Sequence, residues 1–236
     1  MNGNDYDICS MYLLLTAATA AEIQPVIDFL EKRDFTIQPH EVEVLITGVG
    51  AVATTYLLTH NINNHRPGLI IQAGIAGSFR EYEPGKTVAI EGDTFGDMGA
   101  WENNQFKNIF DLKLADDNQA PFINRFLINP YQKLLLLSGL EQVRAITANE
   151  ISTERKRIEW YKQNLSPAVE SMEGAALHYV CLQENIPFLQ IRSVSNAIGE
   201  RDKTKWNLQE AIIRLNENLI LLLTELSKYN ETYFRI

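Results

Sequence analysis

The sequence holds only two cysteines in 236 residues, Cys9 and Cys181, far apart and without the spacing of a metal site. A disulfide-stapled scaffold is thereby excluded, and two reduced thiols in a cytoplasmic protein are expected. Positive charge is also scarce. Lys and Arg total 21 against 30 Asp and Glu, a formal net charge of -9. That is the wrong sign for gripping a phosphate backbone, so nucleic acid is not an expected partner. No apolar run approaches the roughly 20 residues needed to cross a bilayer, so no membrane partner is expected either. Residues 11–21 have the length of a signal-peptide core, but they follow Asp5 and Asp7 rather than a basic segment, and Glu22 closes them. They read as a buried strand and the turn after it. The four histidines, His40, His60, His65 and His178, form no ligand spacing, so no metal is expected, and His178 reads as a packing residue. No Lys-Ser/Thr follows a glycine-rich turn, which excludes a Walker loop. Gly48-Val49-Gly50 lacks the third glycine of a dinucleotide fingerprint because position 53 is Ala, and no nicotinamide or other cofactor is expected. With no Pro/Gly/Ser-rich linker and no internal repeat, residues 1–236 read as one domain.

What is present is an ordinary globular composition, 45% hydrophobic and 22% charged. Short apolar runs predict strands at residues 12–16, 42–47, 69–72, 87–90, 134–137, 143–147, 168–169 and 188–193. Helical spacing predicts helices over 22–33, 51–64, 152–163, 173–184 and 208–226. Residues 92–124 are polar, aromatic and irregular, the pattern of a functional loop or lid. Trp101, Phe106 and Phe110 within it are candidates for stacking on a ligand or for the core of the lid. Alternation of strands and helices predicts an α/β fold: a central mixed, mostly parallel sheet flanked by helices. In such sheets ligands sit outside the carboxyl ends of the strands. Glu22, the AGIAG turn (residues 73–77), Met172 with Glu173, and Ser195 with Asn196 each follow a predicted strand, so they can converge on one crevice.

Each has two readings. Glu22 is either a first-turn acid favouring its helix or a general base beside a water. Gly74 and Gly77 either make a tight turn or let backbone approach a ligand. In the segment ESMEGAA (residues 170–176), Glu173 either caps a helix or accepts hydrogen bonds from a ribose diol, with Met172 in the core or against the sugar. Asn196 is either a turn residue or a donor–acceptor pair matched to the N7 and O6 edge of a 6-oxopurine. The cluster Glu200-Arg201-Asp202 is a solvated loop, or it anchors an acidic substrate group through Arg201.

With those residues in hand, the chain resembles the nucleoside phosphorylase and nucleosidase superfamily over most of its length. The resemblance rests on LLLTAATAAEI (residues 13–23), ITGVGAVATT (46–55), LIIQAGIAGSF (69–79), VESMEGAALHYVC (169–181) and PFLQIRSVSNAIGERDKTKW (187–206), all in family order. Within the superfamily it is most similar to the futalosine hydrolases, through SMEGAA and SNAIGERDKTKW, and next to the methylthioadenosine/S-adenosylhomocysteine nucleosidases. The resemblance implies a nucleoside phosphorylase-like fold and hydrolysis of a purine nucleoside. It favours futalosine, which yields hypoxanthine and dehypoxanthine futalosine in menaquinone biosynthesis. It implies that Glu22 activates water and that Glu173 holds the ribose hydroxyls beside Met172 and Ser171. Ala76 and Gly77 would face the reaction centre through backbone, and residues 149–151, Ile151 among them, would line the base. The adenosine-type nucleosidases carry Asp after the Ser, where this chain has Asn196 after Ser195; a 6-oxopurine leaves more readily as an anion and can do without that acid. Phosphorylases carry an Arg at the position of Gln72, and Arg80 is no substitute, so water is the expected nucleophile. The resemblance further implies a homo-oligomer, with a neighbouring subunit completing the pocket.

Overall fold

The computed structural model describes residues 10–103 and 105–234. Cys9 lies outside them, whereas Cys181 is a free, buried thiol. In chain order the elements are β1 (Tyr12–Ala17), α1 (Ala20–Glu31), β2 (Thr36–Ile37), β3 (His40–Ile46), α2 (Ala51–Asn64), β4 (Leu69–Ser78), β5 (Thr87–Asp93), β6 (Gly99–Glu102), β7 (Gln105–Asn108), β8 (Leu127–Ile128), α3 (Gln132–Leu137), β9 (Glu141–Thr147), α4 (Arg155–Asn164), β10 (Val169–Ser171), α5 (Gly174–Glu184), β11 (Phe188–Ala197), a 3-10 turn (Lys203–Lys205), α6 (Leu208–Leu226) and α7 (Glu231–Phe234). No helix among them is long and apolar enough to cross a membrane.

The main sheet runs β10-β9-β5-β11-β4-β1-β3-β2, with β8 beside β5, and mixes parallel with antiparallel pairs as expected. Its centre is parallel: β3, β1, β4 and β11 lie side by side. β1 is buried on both faces, which its unbroken apolar run anticipates. The sequence did not predict that β10 also pairs with β4. The path β4–β10–β9–β5–β11 therefore returns to β4, and this half of the sheet closes into a ring. Ala76, Val88, Ile90, Val143, Ala145, Val169 and Val194 fill it as a separate small core. The larger core packs α1, α2, α5 and α6 against the open half.

Four expectations need correction. Residues 134–137 are helix, not strand: Leu134 and Leu135 are buried but Leu136 faces solvent, a one-sided burial that a four-leucine run cannot reveal. The side chain of Asn129 starts that turn by accepting from the Tyr131 N–H at 2.9 Å. The predicted strands at 69–72 and 188–193 are too short. β4 and β11 pair as far as Ala197↔Ser78, so AGIAG and Ser195-Asn196 lie within strands rather than after them. Register slips between Val194 and Asn196, leaving Ser195 as a bulge that re-aims the residues after it. Helices predicted at 22–33 and 152–163 begin at Ala20 and Arg155, the latter because the Glu154 carboxylate caps it. In the predicted lid, residues 92–93 continue β5, and β6 and β7 form a hairpin. Phe106 and Phe110 are buried, Phe106 edge-on to Trp160 at 4.9 Å, so they are core of this region.

Candidate active site

A cavity of about 280 Å³ opens where β1, β4, β10 and β11 end, at the low end of the ~300–1,000 Å³ typical of small-molecule sites. Nine of the residues expected at the site are on its wall: Glu22, Ala76, Gly77, Ile151, Ser171, Met172, Glu173, Ser195 and Asn196. Ile198, Trp206 and Glu170 are also on it. Arg201 is exposed instead, its guanidinium 5.8 Å from the Trp206 ring, and Trp101, Phe106 and Phe110 are not on the wall. A wider groove of about 820 Å³ along α2 is apolar and holds no carboxylate; Asn149 lines that groove rather than the cavity.

The helix-starting reading of Glu22 holds, and its carboxylate also reaches the cavity. Thr19 precedes α1, and Oε2 of Glu22 accepts from the Thr19 N–H and hydroxyl, each at 3.0 Å. Oε1 accepts from the Ile75 N–H at 3.1 Å. Of roughly four lone-pair sites on a carboxylate, three are engaged and one is left for a ligand or a water. The turn carrying Glu22 is not a plain helix start, because Ile23 has non-helical φ/ψ of -123° and 16°. Asn216 of α6, buried, bridges that kink by accepting from the Val26 N–H at 3.1 Å and donating to the Glu22 carbonyl at 2.9 Å. Asn216→Ala orphans that N–H, a loss of about 1–3 kcal/mol. A urea titration of the variant is the check, with slower turnover expected alongside.

Glu173 is buried and sits at the N-cap of α5, yet its carboxylate makes no cap bond. Oε1 accepts from the Gly50 N–H at 3.1 Å, and Oε2 pairs with Arg192 Nη1 at 3.4 Å. Gly50 has φ of 98°, open to glycine and strained for other residues, so the Gly-x-Gly turn serves as a carboxylate cradle. Arg192 is a site residue the sequence reading missed. It is 1% exposed, and its Nη2 donates to Gln72 Oε1 at 2.7 Å. Gln72 is therefore off the cavity wall, holding Arg192. Gly74, opposite Arg192 across β4 and β11, has no room for a Cβ: it would collide with Nη1 of Arg192 and lie 3.0 Å from Glu22 Oε1. Glu22 thus approaches this glycine directly, and Glu173 is tied to the same place through the Arg192 guanidinium.

The other wall is fixed by Glu170, which accepts from the N–H and hydroxyl of Ser152 and so anchors the loop bearing Ile151. Burial raises the Glu170 pKa above the usual carboxylate value. The Ser195 hydroxyl donates to Asn196 Oδ1 at 2.8 Å, and Asn196 Nδ2 donates to the Ala197 carbonyl at 2.9 Å. These bonds orient the amide and leave its second N–H free for a ligand. A Cβ on Gly77 would stand 2.6 Å from Ile198 Cδ1, so the glycine lets that side chain close on the wall. His178 is buried, its Nδ1 2.7 Å from the Leu127 carbonyl, and burial lowers its pKa to about 4.

A family model described as Phosphorylase superfamily matches residues 17–228. A futalosine hydrolase of Streptomyces coelicolor is 27% identical, over 74% of this chain and 75% of its own length. A 5'-methylthioadenosine/S-adenosylhomocysteine nucleosidase of Buchnera aphidicola is also 27% identical, over 80% and 78%. In structure, a futalosine hydrolase mutant of Helicobacter pylori superposes with a TM-score of 0.77 at 16% identity, covering 91% of this chain and 99% of that one.

Proposed function

The chain belongs to the phosphorylase superfamily, and from that premise we propose that it is an N-glycosyl hydrolase of purine nucleosides whose substrate is futalosine. The observation that carries the reading is the pair of carboxylates, Glu22 and Glu173, brought to one cavity. Breaking the C–N bond builds positive charge on the ribose ring before the nucleophile arrives. Negative groups held around the ring stabilise that charge without reorganising. Glu22, with one lone pair free, takes a proton from the attacking water. Glu173 accepts the ribose hydroxyls with the lone pairs that Gly50 and Arg192 leave open, and Met172 packs on the sugar. Water rather than phosphate fits the electrostatics: no described residue on the wall is Lys or Arg, and Arg192 is already taken by Glu173 and Gln72.

Asn196 favours a 6-oxopurine, because its free N–H suits an acceptor on the leaving base and it brings no proton for N7. Asn196→Asp supplies that proton. The expected result is a shift toward adenine nucleosides of at least about tenfold in relative kcat/KM, roughly one charge-assisted hydrogen bond. Competition between futalosine and methylthioadenosine measures it, and unchanged selectivity removes this role for Asn196. The second reading, an adenosine-type nucleosidase, draws support from the equal 27% identity of the Buchnera aphidicola relative. One experiment separates the readings: incubate the protein with each nucleoside in phosphate-free buffer and identify the purine released. Hypoxanthine supports futalosine, adenine supports the second reading, and a requirement for phosphate returns the chain to phosphorolysis.

Pairing of two copies belongs to the same proposal. Val52 and Tyr56 on α2 are 82% and 67% exposed and face the apolar groove beside the cavity. A monomer in sedimentation at micromolar concentration would remove that part.

A further inference from the structure

Glu173 occupies an N-cap without capping, so the first N–H groups of α5 must find acceptors elsewhere. Gly174 N–H donates to the Ser171 hydroxyl at 3.3 Å. Ala175 N–H donates to Thr147 Oγ1 at 2.7 Å, and that hydroxyl in turn donates to Oδ1 of Asp93 at 3.0 Å. Asp93 is fully buried at the end of β5, and Oδ2 lies against the same helical turn: a side chain at position 174 would collide with Oδ2 and with the amide of Gln190.

We propose that Asp93 is a positioning residue for the glycosidic cleavage: acting through Thr147 it replaces the missing cap of α5 and thereby frees the Glu173 carboxylate to face the ribose. The proposal rests on the assignment of Glu173 to the ribose made above. Geometry explains why an acid stands here. The N-terminal turn of an eleven-residue helix carries partial positive charge toward a carboxylate that lies beside it. Arg192, two residues beyond Gln190 on β11, supplies the other attraction. Charged and titratable groups facing this pocket are few: Arg192 from β11, already bonded to Glu173, and His178 from α5, kept neutral by burial. Asp93 accepts the Thr147 hydrogen bond and so keeps a lone pair of that hydroxyl on the Ala175 N–H; without the relay that N–H loses its fixed acceptor, and the Glu173 carboxylate turns back onto its own helix.

Burial raises the Asp93 pKa from 3.8 to about 6, the nearby Gln190 amide, the Thr147 hydrogen bond and the charge of Arg192 opposing it. The sign matters. An acid whose pKa is raised on folding makes the fold less stable as pH climbs from about 4 to about 6. A neutral replacement therefore relieves a cost at pH 8, whereas a residue kept only for stability would show the reverse.

The test is Asp93→Leu and Thr147→Val, the first an isostere that cannot accept the Thr147 hydrogen bond, with Thr147→Ser as the conservative variant and Glu173→Gln as the reference. Expected for Asp93→Leu is a melting temperature at pH 8 no lower than the parent's, with kcat/KM for the nucleoside reduced roughly 10- to 100-fold by displacement of one carboxylate. Inhibition by the free purine, which does not touch Glu173, stays unchanged. The acid limb of the wild-type profile near pH 6 disappears, and Thr147→Ser restores most of what Thr147→Val loses. Parental kcat and KM in Asp93→Leu, or a loss that merely follows a lowered melting temperature, overturns the proposal. If Glu173→Gln is equally silent, the fault lies in the ribose assignment. If Glu173→Gln is slow while Asp93→Leu and Thr147→Val are not, only the relay falls.

Discussion

Glu22→Gln is expected to keep the fold and to lower kcat about 10²- to 10⁴-fold, the usual worth of a general base. The amide retains Oε1 as an acceptor for the Ile75 N–H, so the kinked turn that Asn216 holds should persist. At the other position, which accepts two bonds from Thr19, an NH2 group can still donate to the hydroxyl oxygen. The negative charge beside the ribose and the proton acceptor for water are lost together. KM should change little, because Glu173, proposed to hold the ribose hydroxyls, is untouched. Steady-state hydrolysis of futalosine, alongside a far-UV spectrum and a melt, decides the matter. Turnover near the parent's rate in a folded variant leaves Glu22 with only its helix-starting role.

Arg192→Leu should produce the largest loss of stability, about 3–5 kcal/mol, because it removes one partner of a buried ion pair and strands the other. Glu173 keeps the Gly50 N–H but loses its counter-charge, and Gln72 loses the donor at 2.7 Å. Leucine leaves unfilled the volume that the guanidinium takes above Gly74. Guanidinium titration of the variant measures the loss. A buried arginine contributing nothing would show an unchanged midpoint, and the account of the Glu173 environment would fail with it. Activity should also drop, since a Glu173 without Arg192 is free to take up a proton or to swing away from the sugar.

What the sequence made legible was local. A buried apolar run followed by small residues and an acid marks a strand handing over to a helix, and Glu22 and Glu173 were found by that pattern. Met172 shares that junction, whereas Gly77, Ser195 and Asn196 came forward as residues expected just after a strand and lie instead within β4 and β11. The missing parts act across long stretches of chain. Arg192 meets Gln72 across 120 positions and Asn216 meets Val26 across 190. No period or motif announces such partners, although a lone arginine inside the apolar run PFLQIRSV was a signal that could have been followed. The ends of β4 and β11 were misjudged because glycine and serine weigh against strand in any propensity argument. There they pair because their neighbours do, and a bulge accommodates the extra residue. α3 was misjudged because four leucines have no period. The seam between β4 and β10 involves only two residue pairs, too few to leave a mark on the sequence.

That seam turns five strands into a hoop, and a hoop cannot be widened by parting two staves. Gly77, Ser171 and Asn196 ride on three of its members, so their mutual spacing is set by hydrogen-bonded backbone and not by what enters. Accommodation of a bulkier or smaller nucleoside must come from pieces outside the hoop, among them the loop bearing Ile151 and the stretch from Ile198 to Trp206. Preference among related substrates is accordingly free to drift in those pieces while the residues carried on the hoop stay where they are.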